Sequence, residues 1–285
     1  MPLVNTRSML RQARDQRFCI GAFNIVDFLT IEAVVEAAEH RNAPAIIQTS
    51  SGTLKRFGVP KIVEMVRIVA ENSKVPIALH LDHGTDLNIL SEAIRSGFNS
   101  VMIDASSNPF EENIRLTRQV VEEAKQYDVS VEGEIGIVAG VEDEIVISQN
   151  AAIYTTPEEA LLFEEKTGID FLAAAIGTAH GFYKVEPRLN IQTLRDIHQK
   201  TTCPLVVHGG TGLDDETVKS LVEAGASKFN VSTRIKQVYI DAMNDYIQSH
   251  RQEYNILKVL AAAKKELVSM LEEYIVLLGG EGQGC

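Results

Sequence analysis

Eight short runs of apolar and β-branched residues recur along this 285-residue chain at a mean spacing of about 30 residues, each followed by a longer amphipathic segment. The runs cover residues 19–24, 45–50, 77–82, 100–105, 130–136, 171–177, 204–209 and 228–233. That spacing is the length of one strand–helix unit, and few architectures accept eight of them in succession. A run such as Phe171-Leu172-Ala173-Ala174-Ala175-Ile176 is apolar throughout, as suits a parallel strand covered on both faces.

The intervening segments read as helices. Ile62, Met65, Val66 and Val69 fall on one helical stripe. Asn108-Pro109-Phe110-Glu111 and Thr156-Pro157-Glu158-Glu159 each offer a capping side chain, an early proline and a glutamate in the first turn. Gly97, Gly168 and Gly225 stand where helices should end. The pattern predicts an α/β fold, one (β/α)8 TIM barrel domain over residues 1–285. An open doubly wound sheet is the rival, but no glycine-rich dinucleotide loop follows the first run. Residues 253–278 form an extra helical C-terminal extension, expected to pack across the barrel bottom or to meet another subunit.

Charge and cysteine usage narrow the partners. With 27 basic and 39 acidic residues the net charge is -12, and no basic cluster is visible, which argues against nucleic acid. A small anion is still acceptable, because backbone amides can bind it inside an acidic protein. No run reaches the roughly 18 apolar residues of a membrane span. Cys19, Cys203 and Cys285 lack any CxxC spacing, and the first residues lack a signal-peptide pattern, so a reduced cytoplasmic protein is expected.

In a barrel, the C-terminal strand ends converge on one face. There the sequence collects His80-Leu81-Asp82-His83-Gly84, Asp104, Glu132 and Glu134, Gly177-Thr178-Ala179-His180-Gly181, His208-Gly209-Gly210-Thr211-Gly212 and Asn230-Val231-Ser232-Thr233. Of the seven histidines, His83, His180 and His208 lie at these ends, a ligand set suited to zinc with an open position. His80 should lie on the opposite side of its strand from His83, or a layer deeper. His40, His198 and His250 fall on helices, where a solvated role is expected. The glycines after the sixth and seventh runs, with residues 230–233, suit a phosphate site. Asn24 and Ser50, closing the first two runs, are candidate substrate contacts. Residues 137–154 make a long connection, either a surface insertion or a mobile lid. A Schiff-base mechanism would need a lysine at a strand end; Lys228 begins its run and Lys184 sits in a loop.

These segments, with Ala22-Phe23-Asn24, Met102-Ile103-Asp104-Ala105-Ser106 and Pro109-Phe110-Glu111-Glu112-Asn113, resemble the class II, metal-dependent ketose-bisphosphate aldolases over nearly the whole chain. The resemblance is closest to the branch of bacterial fructose- and tagatose-bisphosphate aldolases. It implies His83, His180 and His208 as ligands of a catalytic Zn2+, and Asp104 and Glu134 as holders of a second divalent metal. Asp82 matches the acid/base at the C4 hydroxyl, and Glu142 the group exchanging the C3 proton. Gly181, Gly209, Gly210, Thr211, Asn230, Val231, Ser232 and Thr233 match the site for the phosphate of dihydroxyacetone phosphate, with a monovalent cation nearby. The implied partner is a small phosphorylated sugar, and the implied assembly a homodimer or homotetramer.

Several positions depart from the pattern: Ser107-Asn108 for a common histidine, Ala139 for a glycine, Ser232 at a variable position, and Asn255-Ile256-Leu257 for Asp-Pro-Arg. Residues 264–278 also lack the arginine with which some relatives grip a distal phosphate. Fructose 1,6-bisphosphate, tagatose 1,6-bisphosphate and ketoses with another distal group therefore all stay open.

Overall fold

The computed structural model describes residues 3–142, 145–147, 153–181, 183 and 187–284, with main chain only at 139, 141, 142 and 145–147. All eight expected strands form: β1 (Ile20–Asn24), β2 (Ala45–Ser50), β3 (Ile77–Gly84), β4 (Ser100–Ile103), β5 (Ser130–Ile135), β8 (Phe171–Ala174), β10 (Leu205–Val207) and β11 (Ala226–Val231). They pair in parallel and close in the order β1-β11-β10-β8-β5-β4-β3-β2, a (β/α)8 TIM barrel.

Strand alternation divides the core in two. Ile20, Ala22, Ile46, Ala78, Phe171, Ala173 and Val206 point inward and fill the lower barrel. Phe23, Ile47, Leu79, Val101, Val131, Leu172, Val207 and Phe229 point outward into the layer of helices. That ring includes α2 (Phe28–His40), α3 (Ser51–Phe57), α4 (Val59–Ala70), α5 (Leu87–Ser96), α6 (Phe110–Ala124), α7 (Pro157–Thr167), α8 (Ile191–Lys200) and α9 (Asp215–Glu223).

The barrel bottom is closed by an N-terminal helix, α1 (Thr6–Gln16), and not by the C-terminal extension. Met9, Leu10 and Ala13 of α1 join the inward cluster, and the burial of each larger side chain contributes about 1.5–3 kcal/mol. The extension instead forms α11 (Ile256–Leu277), which packs beside α2 and over β1, with Leu267, Leu271 and Ile275 in the outer core. The helix before it, α10 (Thr233–Ser249), buries only Ile235. The chain thus uses its extension as part of the barrel wall.

Local signals behave as physics demands, with one exception. Thr156 caps α7 in a reciprocal box with Glu159. Gly97 and Gly168 end α5 and α7 in the left-handed region, and Gly225 does the same one residue after α9's cap. Asn108 does not cap α6: Pro109 occupies the cap position, and the Asn108 amide donates to the Ala105 carbonyl. The side chain is spent on the turn that leaves β4.

The 137–154 connection is not structureless where it is described. It forms a hairpin of β6 (Ala139–Glu142) and β7 (Ile145–Ile147), and β6 also pairs with β9 (Ala179–His180). No helix among the described residues is long and apolar enough to cross a membrane.

Candidate active site

On several strands the inward face turns polar toward the C-terminal end. On β1 the sequence Ile20, Ala22, Asn24 makes the change and on β3 it is Ala78, His80, Asp82, while on β5 Ser130, Glu132 and Glu134 are polar throughout. This places Asn24, Gln48, Asp82, Asp104, Glu132, Glu134, His208 and Asn230 around one basin.

His83 reaches that basin by breaking the alternation. A regular strand with His80 and Asp82 inward would aim His83 outward. The register of β3 on β4 slips between Leu81 and Gly84, and His83 takes φ +45°, so its ring turns toward the centre. Gly84 permits the close passage, since a Cβ there would lie 2.7 Å from the Met102 carbonyl oxygen. His80 is the layer-deeper residue, fully buried, its Nδ1 bonded to Ser100 Oγ.

His83, His180 and His208 offer ring nitrogens that all lie within 4.8 Å of one another. Nε2 of His83 and Nδ1 of His208 face each other at 2.9 Å. Their other nitrogens meet carboxylates: His83 Nδ1 sits 2.9 Å from Asp104 Oδ2, and His208 Nε2 sits 2.8 Å from Glu132 Oε1. If each ring donates its N–H to its carboxylate, two lone pairs converge, an arrangement that a cation between them relieves. The donor set therefore fits a metal. His83, Asp104 and Glu134 form a second group of the same compactness. Glu134 Oε2 is buried and has no hydrogen-bond partner among the described residues, and such an atom fits a second cation.

The electrostatics of the basin follow from burial and pairing. Burial alone would raise Glu132, but the Lys228 ammonium and the His208 ring outweigh it and hold the carboxyl well below its usual range. Asp104 is likewise held low against burial by His83 and Ser106. Burial, with Asp104 adding repulsion, pushes Glu134 well above the usual range. His80 and His208 are both lowered, chiefly by burial.

Asp82 is faced by amide donors. Asn24 Nδ2 lies 2.9 Å from Oδ2, Gln48 Nε2 lies 3.3 Å from the same oxygen, and Asn230 Nδ2 lies 3.1 Å from Oδ1. Asn24 and Asn230 thus have an observed contact with the carboxylate. Ser50 ends β2 and caps α3.

The glycine-rich turns lie beside this basin. Gly181 takes φ +87° directly after His180. Gly209 takes φ +67°, and a Cβ there would sit 2.4 Å from the Ala179 carbonyl oxygen. At Gly210 a Cβ would strike the Phe229 ring at 2.1 Å. Thr211 is buried. Ser232 and Thr233 form the N-terminal end of α10, and Ser232 Oγ is buried without a partner among the described residues. Val231 turns the other way, into the outer core, which leaves only its main chain for a ligand.

Tyr183 joins these turns and is absent from the sequence-derived set. Its hydroxyl donates to the Gly209 carbonyl at 2.7 Å and accepts from the Ala179 amide at 2.9 Å. It ties the strand carrying His180 to the turn after His208. Replacing Tyr183 with phenylalanine should cost about 1 kcal/mol of stability and raise KM for a phosphorylated substrate. An unchanged melting temperature together with an unchanged KM would remove that role.

Glu142 ends β6, and Gly140 two residues earlier stands opposite His180, so the hairpin is rooted at a candidate ligand. The Glu142 side chain lies outside the described residues.

A parallel barrel whose strand ends gather imidazoles, carboxylates and glycine turns on one face defines the class as a barrel enzyme with its chemistry at the C-terminal mouth. The family model for class II fructose-bisphosphate aldolase matches residues 4–283, and the chain belongs to that family. It is an aldolase, a carbon–carbon lyase. Among solved structures it is similar to the YdjI aldolase of Escherichia coli K12, with 30% identity over 99% of this chain and 100% of that one and a TM-score of 0.88. A putative fructose-1,6-bisphosphate aldolase from Coccidioides immitis shares 29% identity over 97% of this chain and 96% of that one, with a TM-score of 0.90. The fold is also that of the fructose-bisphosphate aldolase of Campylobacter jejuni, at 24% identity, 98% and 96% coverage and a TM-score of 0.85.

Proposed function

We propose that this chain is a zinc-dependent aldolase that reversibly cleaves a ketose 1,6-bisphosphate of fructose or tagatose type to dihydroxyacetone phosphate and an aldehyde such as glyceraldehyde 3-phosphate. The observation that carries the reading is the opposed pair of His83 and His208 nitrogens, each ring held from behind by a carboxylate, with His180 alongside. His83, His180 and His208 would hold the catalytic zinc, and Asp104 and Glu134 a second divalent ion. Zinc bound there supplies Lewis-acid stabilisation of the negative charge that builds on the enediolate as the C3–C4 bond breaks.

Asp82 takes the proton of the C4 hydroxyl. The C4–O bond becomes the carbonyl of the departing aldehyde, and the C3–C4 electron pair stays on the three-carbon fragment. Its carboxylate is prepared for this by the Asn24 and Asn230 amides, which can donate to it but leave it to accept the proton. Glu142, carried on the hairpin, returns a proton to C3 to complete dihydroxyacetone phosphate. The phosphate is assigned to Gly181, Gly209, Gly210, Thr211 and the α10 N-terminus at Ser232 and Thr233, with a monovalent cation beside it. The unpartnered Ser232 hydroxyl and the helix-terminal amides supply its donors.

A ketose 1-phosphate with a different distal group is the second reading. Lys264, a basic residue in the part of the chain where an arginine is missing, is engaged on the barrel wall with Glu32 and Glu36 of α2. The test of both readings is a panel of ketose mono- and bisphosphates assayed for release of dihydroxyacetone phosphate with zinc fully loaded. Cleavage of at least one is expected; cleavage of none would overturn the aldolase assignment to this site.

A further inference from the structure

Beneath the basin lies a charge that the reaction as described does not use. Lys228, inward-facing on β11, is fully buried, and its ammonium forms an ion pair with Glu132 Oε2 at 2.9 Å. It also donates to Asn230 Oδ1 at 2.8 Å. Burying an ion pair carries a large desolvation cost, and apolar side chains of similar size commonly do as well for stability. What sets this pair apart is where its two branches end.

One branch runs through Asn230. An ammonium can only donate, so the Asn230 amide must turn its oxygen to Lys228 and its Nδ2 away. That nitrogen then points at Asp82 Oδ1, 3.1 Å distant. The other branch runs through Glu132, whose Oε1 lies 2.8 Å from His208 Nε2. A carboxylate held there fixes the proton on Nε2, and with it the lone pair on Nδ1, the nitrogen that faces His83. On the far side of Asp82 the Asn24 and Gln48 amides also donate to the carboxylate, but among the described residues no buried charge stands behind them: Gln48 Oε1 is buried without a partner.

We propose that Lys228 is a positioning residue that orders both halves of the site at once, fixing through Asn230 a donor on Asp82 and through Glu132 the tautomer and ring of His208. It acts on no substrate atom itself. The inference rests on the assignment of Asp82 and His208 given above, and makes the two interdependent through one ammonium.

The test compares Glu132→Gln with the double variant Lys228→Met, Glu132→Gln, which is neutral at the core and so keeps folding separable from positioning. Zinc affinity is read by chelator competition, melting temperature on the metal-free protein, and kcat and KM at saturating zinc. Both variants should bind zinc about 10–100-fold more weakly than wild type. At saturating zinc, kcat should fall further in the double variant than in Glu132→Gln, with KM little moved, because only the double variant releases the Asn230 amide. A double variant as stable as wild type with wild-type zinc affinity and kcat would reduce the pair to packing and overturn the proposal. Equal kcat in the two variants would overturn the Asn230 branch. The zinc comparison decides the His208 branch even if wild type cleaves no ketose phosphate, an outcome that overturns the aldolase reading instead.

Discussion

Replacing His208 with alanine is expected to abolish tight zinc binding and to lower turnover by at least about a thousandfold. His208 closes the triad from directly after β10, and its Nδ1 lies 2.9 Å from His83 Nε2. Its loss leaves two imidazoles and also strips Glu132 of the ring bonded to Oε1. A metal that binds only the folded state stabilises it by mass action, so wild type should melt higher as zinc is added. The variant should show no such rise. Metal content by elemental analysis, with melting curves at graded zinc, checks both parts; wild-type zinc content in the variant would refute the site.

Asp82→Ala separates acid–base work from metal binding. The Asp82 oxygens meet Asn24, Gln48 and Asn230 and belong to neither metal-compatible cluster. The alanine variant should therefore keep zinc while kcat falls about 10²–10⁴-fold, the usual contribution of a positioned general base. Asparagine is not a mild replacement here. Its Nδ2 would face amide donors, and on the Asn230 side Lys228 prevents the partner from reversing. Zinc content and steady-state kinetics on the same preparations decide it. A variant that keeps both zinc and turnover would move the base elsewhere, and one that loses both would make Asp82 part of the metal site.

Much of the fold was readable from residue type and position alone. The strand runs, Gly97, Gly168 and the Thr156 box are local signals, set by φ preference and short-range hydrogen bonding, and the structure keeps them. Asn108 shows the limit of such signals: the same side chain that can cap a helix can also close a turn, and the turn won. Of the two places expected for the C-terminal extension, the barrel bottom is not the one it takes, for a different reason. Its apolar stripe says that it packs, not on what, and the floor of the barrel had already been taken by Met9 and Leu10 of α1.

Lys228 and Gln48 were also within reach of the sequence. Counting back by twos from Asn230 and Ser50 puts both on the inward face, yet a lysine at the start of an apolar run reads first as a boundary. Tyr183 gave no such sign, since its partners Ala179, on β9, and Gly209, in the turn after His208, lie far apart in sequence. Alternation sends the Val231 side chain to the helices, so the phosphate role that the resemblance implies for it is left to its main chain.

The order of residues thus specified eight strand–helix units and the polar side chains at their ends, because periodicity and turn chemistry act over a few residues. It left open how those ends meet. The opposed His83 and His208 nitrogens, the two branches from Lys228 and the rooting of the hairpin at His180 arise only on closure of the barrel. Closure brings residues 83 and 208 into contact across the mouth, and a slipped register with one left-handed residue turns His83 inward. Neither follows from any local preference of the chain, because both are settled by the packing of strands distant in sequence.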